Sequence, residues 1–209
     1  LKQYFQPVFG AGPSQHSHYL DSKRTHNMRE GRESPSIGFS RRLTNGESNP
    51  FTLVQWEKRD VTITNWQDDS IVFEQRDVDF PTDWSINASN IVTQKYFWGA
   101  LGTEQREKSL KDLLNRVVNQ IINWGDEGGY FASHDEKGVF ADELMSLLLL
   151  QKASFNSPVW FNIGVPDIPQ QSSACFILSV DDTIDSILNW YVEEGKIFKQ
   201  KEAKFLDSW

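Results

Sequence analysis

A single cysteine, Cys175, stands among 209 residues. That excludes an intrachain disulfide and any cysteine-rich zinc site. No apolar run approaches the ~20 residues that a membrane span needs. The longest leucine stretch, Leu147 to Leu150, falls inside a helical pattern and reads as core. No basic region followed by an apolar segment opens the chain, so no signal peptide is expected. Without a secretory signal, the glycosylation sequon Asn87-Ala88-Ser89 carries no meaning. Excess positive charge is also missing: the net charge is −8, contrary to the basic footprint of a nucleic-acid binder. Gly-x-Gly-x-x-Gly, Walker-type, Gly-x-Ser-x-Gly and His-Glu-x-x-His motifs are absent, as is any internal repeat. These absences point to a reduced, cytoplasmic protein with no nucleic-acid partner, no membrane and no metal site. A starting methionine is lacking too, from which an incomplete gene product is expected.

What is present is apolar and aromatic: 38% hydrophobic and 13% aromatic residues, with eight tryptophans. That is enough to bury a core. Residues 1–50 stand apart, rich in Ser, Gly, Pro, His and Arg and without periodicity. They carry seven basic and four acidic residues, leaving −11 for 51–209. Such a segment buries too little apolar surface to offset chain entropy and reads as a disordered tail. His16 and His18 form a His-x-His pair in that tail with no third ligand nearby, and read as solvated.

From Phe51 the pattern turns to β. Thr52–Trp56, Val61–Thr64 and Ile71–Gln75 predict two or three short antiparallel strands around the polar turn Gln67–Ser70. Pro81 ends the extended run. A first helix is predicted from Asp83 to Trp98, broken by Gly99 and Gly102. A second runs from Ser109 to Trp124, with Ser109 and Asp112 placed as a capping box. Its apolar face carries Leu110, Leu113, Leu114, Val117, Val118, Ile121 and Ile122, and Gly125 is the expected stop. A third helix, Asp135 to Lys152, presents Phe140, Leu144, Leu147, Leu148 and Gln151. His134 just before it reads as a surface residue rather than a base.

Beyond residue 154, Ser157–Phe161 reads as extended, Gly164–Pro169 as a loop and Ala174–Val180 as a buried strand. Asp182 and Thr183 then open another helix with an acidic or hydroxyl cap. Hydroxyls at Ser157, Ser172 and Ser173 flank the loop, with Cys175 at the strand start. Free N–H groups at the next helix favour an anion. The arrangement fits a pocket for a phosphorylated or polyol ligand beside a thiol. An inert buried cysteine and a plain helix cap remain the competing readings.

Phe155-Asn-Ser-Pro-Val-Trp-Phe-Asn162, followed by Gln171-Ser-Ser-Ala-Cys-Phe-Ile-Leu-Ser-Val-Asp-Asp182, resembles the signature of the vitamin B12-dependent (class II) ribonucleotide reductases. Asp83-Trp-Ser85, Asn90-Ile-Val92, Lys95-Tyr-Phe97, Arg116-Val-Val118 and Gly129-Tyr-Phe-Ala132 resemble the same family's N-terminal helical region. The resemblance covers residues 54–199, so that 1–50 reads as a disordered or non-family tail. It implies an α+β fold: a short β-hairpin and a mainly helical domain over 51–153, then the first strand and helix of an incomplete ten-stranded α/β barrel over 154–199, with a divergent tail at 200–209. The resemblance further implies adenosylcobalamin as cofactor, a ribonucleotide substrate, radical transfer to a barrel cysteine, and a thioredoxin-type reductant. Cys175 matches the first cysteine of the family's redox pair. Ser157, Ala174 and Cys175 match substrate-contacting positions, with Ser173 their neighbour. Asp182, Thr183 and Ile184 match the edge of a site for a deoxynucleotide effector near a homodimer interface. The partner cysteine, the radical cysteine and most of the barrel have no counterpart here, so the chain alone is expected to be inactive. Two rival readings are a non-catalytic fragment that binds a deoxynucleotide or an intact reductase subunit, and a generic helical interaction module.

Overall fold

The computed structural model describes residues 37–168 and 170–202. Strands β1 (Trp56–Thr64) and β2 (Ile71–Pro81) pair antiparallel, from Trp56 opposite Pro81 to Thr64 opposite Ile71. Asn65 to Ser70 make the turn, where Asn65 Oδ1 accepts from Gln67 N and Asp69 takes a φ of 56°. Strand alternation would put Gln75, Val78 and Phe80 on different faces, yet all three are buried. The register shift between Arg59 and Val61 resolves this. One residue of β1, Asp60, faces two of β2, Arg76 and Asp77, so the side-chain parity reverses. Asp60 Oδ1 holds the bulge by accepting from Asp77 N at 3.0 Å, and Asp77 takes a φ of 57°.

Ser85 caps helix α1 (Ile86–Ile91), its hydroxyl accepting from Ala88 N. The helix then widens into a π-turn, Val92–Tyr96. Within the predicted 83–98 region, helix therefore occupies 86–96 and ends before Gly99, whose φ is 91°. Helix α2 (Leu110–Glu127) carries the expected capping box: Asp112 Oδ2 accepts from Ser109 N, and Ser109 caps in return. Its apolar face is as read, with Leu110, Leu113, Leu114, Val117, Val118 and Ile122 buried. Gly125 does not stop the helix: it has no left-handed φ, and its missing Cβ instead makes room for the Phe131 ring. The stop falls at Gly128, ahead of Gly129 with a φ of 69°.

Helix α3 (His134–Leu149) is capped by Ser133 and packs against α2. Together with β1, β2 and helix α4 (Ser157–Asn162) they enclose one core. Helix α5 (Ile184–Glu202) follows the expected start at Asp182 and Thr183. The described chain is mixed α and β.

Three expectations need correction. First, the part of the N-terminal tail that is described, from residue 37, is not structureless. Phe39 N donates to Glu136, Leu43 N and Thr44 N donate to Glu143, and Arg41 pairs with Asp142 at 2.7 Å. Low hydrophobicity hid this, since carboxylates of α3 hold most of the segment and a single aromatic ring, Phe39, packs on Phe131 and Phe140. His16, His18 and the rest of 1–36 lie outside the described residues, as do 203–209. Second, Ser157–Phe161 is helical rather than extended. Pro158 sits in the first turn, where its missing N–H costs nothing, and the turn buries Val159, Trp160 and Asn162. Third, Ala174–Val180 has no strand geometry. The sheet of the described residues is the β1–β2 pair, leaving no ladder beside this segment. Ile177 is 99% exposed.

Candidate functional site

Two neighbouring residues of opposite charge organise the region around α4. The Arg116 and Glu107 side chains are only 8% and 7% exposed, and they pair at 2.6 Å. Burying charges is tolerable only when the remaining donors and acceptors are also satisfied, and here they are. Arg116 Nη1 donates to Ile163 O at 2.7 Å and Nη2 to Trp160 O at 3.0 Å, both carbonyls at the end of α4. Nη2 also reaches Tyr96 O at 3.4 Å. Glu107 Oε2 accepts from Trp98 N at 2.6 Å. One ion pair thus joins the π-turn to α4.

Arg106 braces the other side of the π-turn. Its guanidinium donates to Thr93 O, Phe97 O, Gly99 O and Gln75 Oε1. The carbonyls that a helix end leaves unpaired therefore find a cation. Burial pushes the Arg106 guanidinium below its ordinary pKa, and neighbouring Glu107 opposes that shift.

Ser157, the first residue of α4, is hydrogen-bonded through its hydroxyl to the Tyr96 hydroxyl at 3.0 Å. The Tyr96 ring lies on Phe161, centroids 5.1 Å apart. At the far end of α4, Asn162 Nδ2 donates to Pro158 O and to Gln171 O, bringing the chain back after the loop. Gln170 closes the loop from inside, accepting from Gly164 N and donating to Val165 O and Ile168 O. Gln171 Oε1 accepts from Ser173 N at 2.9 Å.

So Ser157 and Ser173 are both held to the α4 unit, through Tyr96 and Gln171. Ala174 and Cys175 lie on the exposed stretch that follows. Asp182, Thr183 and Ile184 are exposed at the start of α5. There Thr183 Oγ1 accepts from Ser186 N and Ser186 Oγ accepts from Asp181 N. That cap already satisfies one of the N–H groups an anion would use. Two depressions of the described surface lie elsewhere. One, of about 220 Å³, is lined by Arg59, Asp60 and Asn90 among others; the second, about 170 Å³, lies between α2, α3 and Asn49–Phe51. No cluster of three metal-ligating side chains occurs among the described residues.

Sequence reasoning missed Tyr96, Glu107, Arg116, Asn162 and Gln170 as contributors. Arg116 carried no mark of a buried charge, since three of its four neighbours at helical spacing, Asp112, Asn119 and Gln120, are polar and only Leu113 is apolar. Its partner Glu107, nine residues earlier in irregular chain, was equally unmarked.

Comparison with known proteins places the chain among relatives. The family described as class II vitamin B12-dependent ribonucleotide reductase matches residues 57–151. A vitamin B12-dependent ribonucleotide reductase of Streptomyces clavuligerus is 51% identical over 189 residues, covering 90% of this chain and 19% of that protein. The enzyme of the same name from Streptomyces coelicolor is 59% identical over 151 residues, 72% of this chain and 16% of its own length. That of Rhodopirellula baltica is 35% identical over 178 residues, covering 72% of this chain and 17% of its own length. This chain therefore spans under a fifth of the length of the curated relatives it matches. It belongs to the vitamin B12-dependent (class II) ribonucleotide reductase family, and corresponds to an N-terminal part of it.

Proposed function

We propose that this chain supplies part of the nucleotide-binding surface of a polypeptide that reduces ribonucleotides to deoxyribonucleotides. The observation that carries the reading is the braced α4 unit. Tyr96 fixes Ser157 at its start, and Asn162 at its end holds the loop at Gln171–Ser173, directly before Cys175. Ser157, Ser173, Ala174 and Cys175 would meet the substrate. Asp182, Thr183 and Ile184 would edge a deoxynucleotide effector site beside a homodimer contact.

In the net reaction, a ribonucleotide and two thiols give a deoxyribonucleotide, water and a disulfide. Cys175 supplies one thiol. The second must come from outside these 209 residues, since the chain has no other cysteine. A thioredoxin-type protein would restore the pair. Exposure of Cys175 suits both partners, because disulfide exchange needs an accessible sulfur. Ala174–Val180 is the place where the first barrel strand would form once neighbouring strands supply a ladder.

A cobalamin cofactor is implied by the family. The described residues do not fit it. The two depressions named above are each smaller than the roughly 300–1,000 Å³ of pockets enclosing drug-sized ligands, a corrinoid is larger still, and no group of three metal-ligating side chains lies among the described residues. No step is therefore assigned to this chain through that group. Among the described residues no helix is long and apolar enough to cross a membrane.

The test is a chimera in which this full chain replaces the corresponding N-terminal part of the S. coelicolor enzyme. The expected result is adenosylcobalamin-dependent reduction of a ribonucleoside diphosphate or triphosphate. Cys175→Ser should then abolish turnover with a thioredoxin-type reductant. Retained turnover in that variant would remove the proposed role of Cys175.

A further inference from the structure

We propose that Tyr96 is a positioning residue for the substrate: it fixes the Ser157 hydroxyl so that the serine proton points outward to an oxygen acceptor of the ribonucleotide. The inference rests on the proposed substrate contact of Ser157. The two hydroxyls are 3.0 Å apart. Either hydroxyl can donate, and the phenol, the more acidic of the two, is the favoured donor; with Tyr96 donating, Ser157 Oγ accepts and its own hydrogen is left for another partner. A serine without that neighbour rotates among three staggered positions and can turn its hydrogen inward.

The surroundings fix both ends of the bond. Tyr96 closes the π-turn, a local widening that often occurs at functional positions. Its ring is held against Phe161 of α4 at 5.1 Å. Its backbone carbonyl and those of Trp160 and Ile163 share one guanidinium, Arg116. Tyr96 is thus anchored to the helix that carries Ser157 by ring, by backbone and by hydroxyl. A tyrosine serving only the core would need the ring alone.

The test uses the chimeric enzyme and the variants Tyr96→Phe, Ser157→Ala and the double variant. Phenylalanine keeps the ring on Phe161 and removes only the hydroxyl. Tyr96→Phe should raise KM for the ribonucleotide about 2–10-fold, the size of one hydrogen bond, with kcat little changed. In the Ser157→Ala background the same substitution should add nothing, because two residues acting as a unit are not additive. The thermal midpoint of Tyr96→Phe should stay near that of the unsubstituted protein. An unchanged KM in Tyr96→Phe, with KM raised in Ser157→Ala, overturns the positioning role alone. Equal effects of Tyr96→Phe with and without Ser157 overturn it as well. Ser157→Ala without effect, or a wild-type chimera without turnover, removes the substrate reading of Ser157 and the positioning role with it.

Discussion

Gly164 lies so close to the Arg116 carbonyl that a Cβ would overlap it, while the Arg116 guanidinium reaches the carbonyl of the preceding residue, Ile163, at 2.7 Å. Backbone and side chain of one arginine therefore meet the same turn from two sides. Gly164 also has a φ of 75°. Gly102 has nearly the same φ, 79°, but open space where its Cβ would go. The pair separates steric overlap from conformational strain. Gly102→Ala should cost about 1–2 kcal/mol, the left-handed penalty alone. Gly164→Ala should cost more, about 3 kcal/mol or above, since backbone must also move. Urea unfolding of the two variants checks the order, and equal losses would contradict the close packing at Gly164.

The ion pair beneath that turn gives a second expectation. Removing one partner, by Arg116→Met or Glu107→Gln, leaves a buried charge or carbonyls without donors. Either change should cost about 3–5 kcal/mol. The double variant should lose less than the sum of the two. It should not return to wild-type stability, because Trp160 O and Ile163 O still lack their donors. Denaturation midpoints of the three variants are the measurement.

Acid should release the segment that precedes β1. Burial pushes the Glu143 carboxyl up, but hydrogen bonds from the Thr44 hydroxyl and the backbone N–H groups of Leu43, Arg42 and Thr44 outweigh it. The net effect holds the group below its ordinary value of 4.5. A depressed folded-state pKa means that the docked form favours the charged carboxylate. The contribution is therefore complete above 4.5 and disappears as pH falls through the lower, docked value. Amide exchange at Leu43 and Thr44 should accelerate below that value, relative to the intrinsic rate. In Glu143→Gln those two amides should be poorly protected at every pH.

Cys175 offers a direct check on the corrected strand. In the folded chain it is exposed, so a thiol-specific reagent should titrate one equivalent at a rate close to that of the urea-unfolded chain. Strong protection that vanishes in urea would instead indicate the buried strand read from Ala174–Val180. Cys175→Ser should change unfolding stability by no more than about 0.5 kcal/mol.

Legibility in the sequence followed the range of the interactions. The capping box at Ser109 and Asp112, the apolar face of α2 and the polar turn before Ile71 are local, and each was readable from spacing alone. Ser157–Asn162 failed because Pro and Val suggest extension, while the decisive fact is that one helical turn buries Val159, Trp160 and Asn162 together. Ala174–Val180 failed for the opposite reason. Its composition is that of a buried strand, but strands need a neighbour to pair with. Of the candidate residues, Ser157, Ser173, Cys175, Asp182 and Thr183 stood out by residue type and position, while the resemblance added Ala174 and Ile184 and implied a role for each. Their supports, Tyr96, Asn162 and Gln170, carry no pattern that spacing could expose.

The sequence by itself determined the family, the helical core, the hairpin and the single thiol, because periodicity, caps and ordered rare words are properties of neighbouring residues. Tertiary structure decided the rest: the bulge at Asp60 that turns Val78 and Phe80 inward, the docking of residues 39–44 on α3, and the Arg116–Glu107 pair that binds the π-turn to α4. Each of these satisfies a buried charge, an unpaired backbone group or a side-chain parity with a partner distant in sequence. Which partner is chosen depends on where folding brings the chain.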